Sequence, residues 1–520
     1  MTAPAHAAAQ ATSPVTTPHL TETTLWWATL AGLCLVLLAP ICITEVPPLV
    51  DYPNHLARLF VLASLPNDAE LARFYAPHWS IIPNLALDLI GPPLMHVLPV
   101  YTAGRLLVAA SLLLPVLGTV AYNTVLGGRW WSLGVGLLAY NSCLLYGFLN
   151  FSFALGLALL LAAAWLRWRE PHPARAILIA TTGAPLLFAC HLMGLVFFAI
   201  LIGGAELARI QAGPHRLRHA AERAAILALV FAAPAALYAL SDLQHLGGDA
   251  IFLSLAEKLF QPINVFTNYN WYLDVTTALF AIAVPTLCVA RRWGRVPATA
   301  AVPIALLAAA FMASPYAWKG TYLLDTRLAV MLDFMLFAAF VPNALPAGPR
   351  RLALAALAIL FTARMSLLTI AWAAHAADIA DLRRVLAPVR PGQAVYVAST
   401  SIPEAPAYWA ANPRWRRLSD NFRTDVHLGA LALIERRAYW PFEFDNPSQQ
   451  PLETKPPYRS LAARVGDLPD RSHAANANLC GFDYVLLTEA DAAPDLPPDR
   501  FTLSARSGFA ALYAVTRCQP

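Results

Sequence analysis

Charge is scarce in this 520-residue chain: Asp, Glu, Lys and Arg together make up 13% of it. A soluble domain carries roughly 25%, so the shortage excludes a water-soluble globular protein over most of the length. Cysteine is sparse too, with seven residues. No CxxC pair, HExxH stretch or Cys/His cluster occurs, so the pattern gives no sign of a structural metal. Residues 1–24 contain no Lys or Arg, and the apolar run after them lacks an A-x-A-like exit, so a cleavable signal peptide is not expected. No repeat of fixed period and no sustained heptads are present.

What the chain has instead is apolar length. Hydrophobic residues make up 58% and the mean hydropathy is +0.53. One crossing of the hydrocarbon takes about 20 apolar residues. Runs at 25–44, 101–123, 131–148, 150–167, 176–190, 192–208, 224–240, 273–290, 298–314, 327–344 and 352–373 predict an all-α polytopic membrane domain of about 11 transmembrane helices. The pair at 176–208 reads as two short spans, one bent helix or a re-entrant hairpin. Every second loop is loaded with arginine: Arg129; Arg167, Arg169 and Arg175; Arg209, Arg216, Arg218 and Arg223; Arg291, Arg292 and Arg295; Arg350 and Arg351. The positive-inside rule then puts the N-terminus in the cytoplasm. The net charge of +5 is mostly this topology and gives no argument for nucleic-acid binding. Heavy use of Arg and Ala fits a GC-rich bacterial genome, which makes the expected location a bacterial inner membrane.

Three organisational units follow: a disordered cytoplasmic tail (1–24), a transmembrane domain (25–373) and a periplasmic α/β domain (374–520). Residues 45–100 and 241–272 become external loops. Within the last domain, AVYVAST (394–400) and FDYVLLTEA (482–490) read as buried strands, and 501–517 reads as a terminal hairpin. HLGALALIERRAY reads as a helix, and the Pro-rich middle ending in NPSQQPLETKPPYRS as loop. Cys480 and Cys518, the only two cysteines there, each border a predicted strand. A single disulfide between them suits an oxidising compartment.

Residues 45–60, EVPPLVDYPNHLARLF, place Asp51 and His55 just past the first span. Pro47 and Pro48 stop that span, and Pro53 suits the first turn of a new amphipathic helix lying along the membrane surface. Asp51 reads either as a cap of that helix or as a functional acid at the membrane–water boundary. Cations on the same side are few: Arg58, Lys258 in IFLSLAEKLFQP, and Lys319 and Arg327 in SPYAWKGTYLLDTRLAV. Each reads as a functional candidate or as a snorkelling anchor at a helix end, and Arg58 also as a lipid-headgroup contact. Asp325 reads as a partner of Arg327, Asp88 as a second acid or a helix-surface residue, and His191 as a polar plug or a further cavity residue.

A long first external loop that opens with an acid, here LVDYPNH, and continues as interfacial helices resembles the C superfamily of membrane glycosyltransferases (GT-C). So does the order of spans followed by an exported C-terminal domain. The resemblance covers most of the chain and implies transfer of a sugar from a polyprenyl phosphate or diphosphate donor to an acceptor hydroxyl, with inversion. The acceptor would be a glycan, a lipid or a protein. Asp51 would be the general base, His55 its orienting partner or a substrate contact, and the cations would hold the leaving phosphate. No second acid stands two residues after Asp51, so the DxD metal pair of some members is absent; no cofactor is firmly implied, and a divalent metal stays open. Two other classes fit the composition: a transporter or flippase for a lipid-linked glycan, and a non-catalytic envelope-assembly protein.

Overall fold

The computed structural model describes residues 21–212, 216–343, 345–398, 414–465, 478–491 and 495–516. Helix α1 (Glu22–Ile43) starts where the Thr21 hydroxyl accepts a bond from Thr24 N at 3.2 Å, inside the stretch expected to be a tail. The first loop then carries α2 (Tyr52–Ser64), α3 (Ala69–Phe74), β1 (Tyr75–Pro77) and α4 (Ala86–Met95), and leads into α5 (Val100–Val125). After a short α6 (Ser142–Leu145) come α7 (Leu149–Trp168), α8 (Pro173–Cys190), α9 (Leu192–Ala212) and α10 (Arg216–Ala239). The pair at 176–208 is thus two separate helices that turn at His191. Next are α11 (Leu255–Asn264), α12 (Trp271–Ala290), β2 (Gly294–Arg295), α13 (Ala298–Ala313), α14 (Leu324–Ala338), β3 (Val341–Pro342) and α15 (Ala347–Val385).

Eight of these helices are long and apolar enough to cross a membrane: α1, α5, α7, α8, α9, α10, α12 and α15. Two further expected spans form the shorter helices α13 and α14, of 16 and 15 residues. Residues 131–148 do not form one helix. They run as a 3-10 helix (Trp130–Leu137) followed by α6. Even so, this segment passes from one end of the bundle to the other. Trp130 Nε1 donates to Glu22 at the start of α1, Tyr140 Oη to Leu37 O midway, and Tyr146 O accepts from Asp51 N beyond its end. Gly134 and Gly136 explain the route, since a Cβ at either would stand 3.0 Å from Phe337 and 2.8 Å from Leu33. Irregular backbone at membrane depth is tolerated when it is buried in protein and its polar groups are paired. Here Ser142 N donates to Val265 O and Asn141 caps α6.

Small residues let the central helices approach closely, as α5 and α7 do where Gly118 meets Gly156. The arginine-rich loops gather at the end opposite Asp51. There the buried Glu206 accepts from Trp165 Nε1 at 2.9 Å and Arg209 at 2.6 Å, and also pairs with Arg223.

Helix α15 has 39 residues. At 1.5 Å per residue it is about 58 Å long, well beyond the roughly 30 Å of hydrocarbon. It therefore carries past the expected boundary at 374 and delivers the chain to β4 (Val395–Ala398). Helix α16 (Leu431–Arg436), β5 (Leu452–Thr454), α17 (Tyr458–Ala463), β6 (Tyr484–Thr488), β7 (Phe501–Ser507) and β8 (Ala510–Val515) complete the chain. The main sheet has the order β4-β6-β8-β7, with β4 parallel to β6 and the other pairs antiparallel. The expected strands and terminal hairpin are all in it. The Pro-rich middle is not only loop, because its β5 pairs with β1 of the first loop, Tyr75 opposite Thr454. Cys480 is disulfide-bonded, and Cys34, Cys42, Cys143, Cys190 and Cys288 are free; Cys518 lies outside the described residues.

That strand pairing corrects the expected place of α2. Rather than lying on a membrane surface, α2 is buried on nearly every side. It is packed between α4, α5 and the C-terminal segment. The amphipathic face expected to meet lipid meets protein instead.

Candidate functional site

Asp51 occupies the N-cap position of α2, yet its side chain makes no capping bond. Two local features together account for its absence. A capping side chain accepts from the N–H of the second or third helical residue, and the second here is Pro53, which has none. The Asp51 backbone is also helical (φ −87°, ψ −9°), whereas a capping residue is normally extended. The carboxylate is thus left for other contacts. Val50 N and Asp51 N donate to Leu145 O and Tyr146 O, both at 3.0 Å, which ties this turn to the end of the irregular crossing. Gly147 follows at φ +91°, and a Cβ there would stand 2.7 Å from Asp51 N. The close approach requires glycine.

The Asp51 side chain, 21% exposed, faces His427 Nε2 at 3.5 Å. It also lines a cavity of about 460 Å³ built from distant parts of the chain. The first loop contributes Asp51 and His55, the α7–α9 region Asn150 and His191, and the loop before α14 Lys319 and Tyr322. Helix α14 adds Arg327, and the C-terminal segment adds Phe444, Gln449 and Gln450. Of the alternatives for His191, the structure has it reach the cavity, with Nδ1 accepting from Met193 N at 3.1 Å.

Polar and cationic walls are distinct. Arg327 lays its guanidinium 4.3 Å over the Phe148 ring and donates to Tyr322 O at 2.5 Å and Leu323 O at 3.1 Å. Lys319 stands 5.4 Å from the Trp318 ring. On the C-terminal side, His55 is buried, and burial, the Arg58 guanidinium and His427 together hold its imidazole well below the ordinary histidine range. It is therefore neutral at physiological pH. His55 Nδ1 and Gln450 Oε1 are buried polar atoms with no hydrogen-bond partner, both on residues that line the cavity. One rim is apolar and exposed: the lining residues Trp318, Tyr322 and Tyr238 project outward. Beside it, α11 turns Leu255, Leu259 and Phe260 outward and buries Lys258 and Gln261.

The remaining sequence-derived residues lie elsewhere. Arg58 and Asp88 form a fully buried bidentate pair, with Nε–Oδ1 at 2.7 Å and Nη2–Oδ2 at 3.1 Å. Neither lines the cavity, because α2 turns Arg58 toward α4. Lys258 caps the C-terminal end of α13, donating to Phe311 O at 2.9 Å and Ser314 O at 2.5 Å. Asp325 sits 3.9 Å from Lys258 rather than pairing with Arg327. A helix end needs donors for its last carbonyls, and this lysine is spent there.

Reading the sequence missed His427, Phe444, Gln449 and Gln450. They lie about 400 residues beyond Asp51, and the one available signal was NPSQQ, polar and Pro-flanked like any surface loop. Among the described residues, no group of three or more His, Cys, Asp or Glu side chains could hold a metal ion. The fold and cavity are those of a multi-pass helical membrane protein with a polar site at one end. In comparisons with known proteins, no family model, no curated protein and no solved structure matches this chain.

Proposed function

We propose that the protein is an inverting membrane glycosyltransferase of the GT-C kind. It would move a sugar from a polyprenyl phosphate or diphosphate donor to an acceptor hydroxyl. The observation that carries this reading is the convergence of an acid, two cations and two histidines from separate segments on one cavity. The exposed aromatic rim suits a donor whose tail stays in the bilayer, since each buried CH₂ holds it there by about 0.8 kcal/mol. In the reaction, the acceptor oxygen attacks the anomeric carbon as the bond from that carbon to the phosphate oxygen breaks. The bonding electrons leave with the phosphate. Asp51 takes the acceptor proton, and Arg327 and Lys319 meet the charge developing on the phosphate. Neutral His55 with Gln449 and Gln450 offers hydrogen bonds to sugar hydroxyls.

All these groups lie at the end of the bundle away from the arginine-rich loops. The positive-inside rule makes that end periplasmic in a bacterial inner membrane, with the N-terminus cytoplasmic. One-sided placement also favours an enzyme over a transporter, whose site would lie near the bilayer midplane. The test is reconstitution in vesicles with lipid-linked sugars, guided by mass spectrometry of envelope glycans with and without the protein. Asp51→Asn should abolish transfer while donor binding persists. Full turnover by that variant would refute the assignment.

A further inference from the structure

We propose that His427, carried by the C-terminal segment, is a positioning residue that holds the Asp51 carboxylate through its Nε2–H. Asn54 and Trp440 dictate the tautomer. The role of Asp51 as a base rests on the reading above, whereas the hydrogen-bond order follows from donor chemistry alone. The Trp440 indole N–H can only donate, and it lies 2.9 Å from the oxygen of the Asn54 amide. That contact fixes which end of the amide is oxygen. The amide nitrogen then faces the opposite way, donating to Phe442 O at 2.8 Å and standing 3.5 Å from His427 Nδ1. An NH₂ group has two hydrogens to give and no lone pair to offer. His427 Nδ1 must therefore present its own lone pair. In a neutral imidazole the single proton then sits on Nε2, the atom that faces Asp51 Oδ1 at 3.5 Å.

The order is Trp440 to Asn54 to His427, each group donating to the next, which leaves the Nε2–H of His427 facing Asp51 Oδ1 across 3.5 Å. Asn54, Trp440 and His427 are at most 5% exposed, so water does not compete along the row. The Phe444 ring stands edge-on between two imidazoles, 5.2 Å from His427 and 5.4 Å from His55, and keeps both in place. His427 thus faces one Asp51 oxygen from the C-terminal side, while the Asp51 side chain also lines the cavity. Three of the four residues that set this arrangement and its wedge come from the C-terminal segment. Asp51 is correctly held only when that segment is docked on the first loop.

The experiment is ¹⁵N NMR of histidine-labelled full-length protein in mildly alkaline buffer, with the His427 resonances identified by their loss in His427→Phe. The expected result is an Nε2–H tautomer in the wild type. Asn54→Asp replaces the donor with acceptors and should draw the proton to Nδ1. A wild-type Nδ1–H tautomer, or a tautomer indifferent to Asn54→Asp, overturns the proposal whatever the protein catalyses. In vesicles supplied with lipid-linked sugar, His427→Phe should lower kcat at least tenfold with KM little changed. His427→Gln, whose amide N–H can replace Nε2–H, should recover part of the loss. Equal damage to kcat by Phe and Gln, or a loss confined to KM, would also overturn a positioning role. If the tautomer behaves as expected but no lipid-linked sugar supports transfer by the wild type, the glycosyltransferase reading falls and the hydrogen-bond order stands.

Discussion

Replacing Arg58 by Met should weaken the first loop sharply, and replacing Asp88 as well should repair most of the damage. Both side chains have no solvent exposure and share two contacts, at 2.7 and 3.1 Å. Removing one partner leaves an uncompensated buried charge, which costs about 3–5 kcal/mol. At 1.36 kcal/mol per factor of ten, local opening of α2 and α4 should become about two to four orders of magnitude more frequent. Hydrogen exchange of the α2 and α4 amides reads this directly as faster local opening. Arg58→Met with Asp88→Leu removes both charges and keeps apolar volume, and such replacements are often neutral or stabilising. Arg58 Nη1 has no hydrogen-bond partner, so the native pair is itself incompletely satisfied and the double variant has little to lose. Wild-type exchange in Arg58→Met, or equal damage in the single and double variants, would refute the argument. Activity separates the structural and functional readings of Arg58. A structural arginine predicts that transfer returns with stability in the double variant, whereas a phosphate ligand predicts stable but inactive protein.

Gly147→Ala should destabilise by about 1–3 kcal/mol and cost at least tenfold in transfer, because its φ is +91° and the new Cβ would meet Asp51 N at 2.7 Å; thermal unfolding and a transfer assay check both. Burial holds the Glu443 carboxyl well above its ordinary value of 4.5, the Arg58 charge opposing and Asp445 adding to the shift. Between these two values the unfolded chain has released a proton that the folded chain keeps, so stability falls as pH rises; Glu443→Gln should flatten that slope in unfolding scans taken from 4.5 upward. A cysteine at Ser460 should react with an impermeant thiol reagent from the periplasm and one at Gly348 should not, in a background lacking Cys42; labelling of both from one side would refute the topology. Non-reducing peptide mapping should find Cys480 joined to Cys518, and two free thiols there would refute that pairing.

Much of the fold was legible because its determinants are local. Apolar length located the long helices, and alternating arginine-rich loops marked which ends lie together. The irregular crossing at 131–148 was misread as a helix for a physical reason. Its composition is as apolar as any span, while its geometry is set by what Gly134 and Gly136 allow to approach, Phe337 and Leu33. Those partners are remote in sequence and leave no periodic trace. The same holds for α2, whose amphipathic pattern is equally consistent with lipid or protein cover. The cover proved to be the β1–β5 pairing and the C-terminal segment, which no local pattern encodes.

The site divides along the same line. Asp51, His55, His191, Lys319 and Arg327 could be singled out because ionisable residues at the mouths of apolar helices are few, and all five line the cavity. Arg58 and Lys258 met the same criterion and were absorbed by Asp88 and by the end of α13. Scarcity of charge therefore selects residues that must be satisfied, without saying whether protein or substrate satisfies them. The capping alternative for Asp51 shows what would decide it. Pro53 lacks one of the two N–H groups a cap could use, as DYPN already shows, and the helical backbone of Asp51 keeps its side chain from the other, on Asn54. A proline at the second helical position removes one partner of the preceding acid, and the structure shows no capping bond to the other, so the carboxylate is available elsewhere. With His427 3.5 Å from one oxygen and a cavity beside it, Asp51 is held without being consumed by the helix it precedes, which is the condition a base at this boundary has to meet.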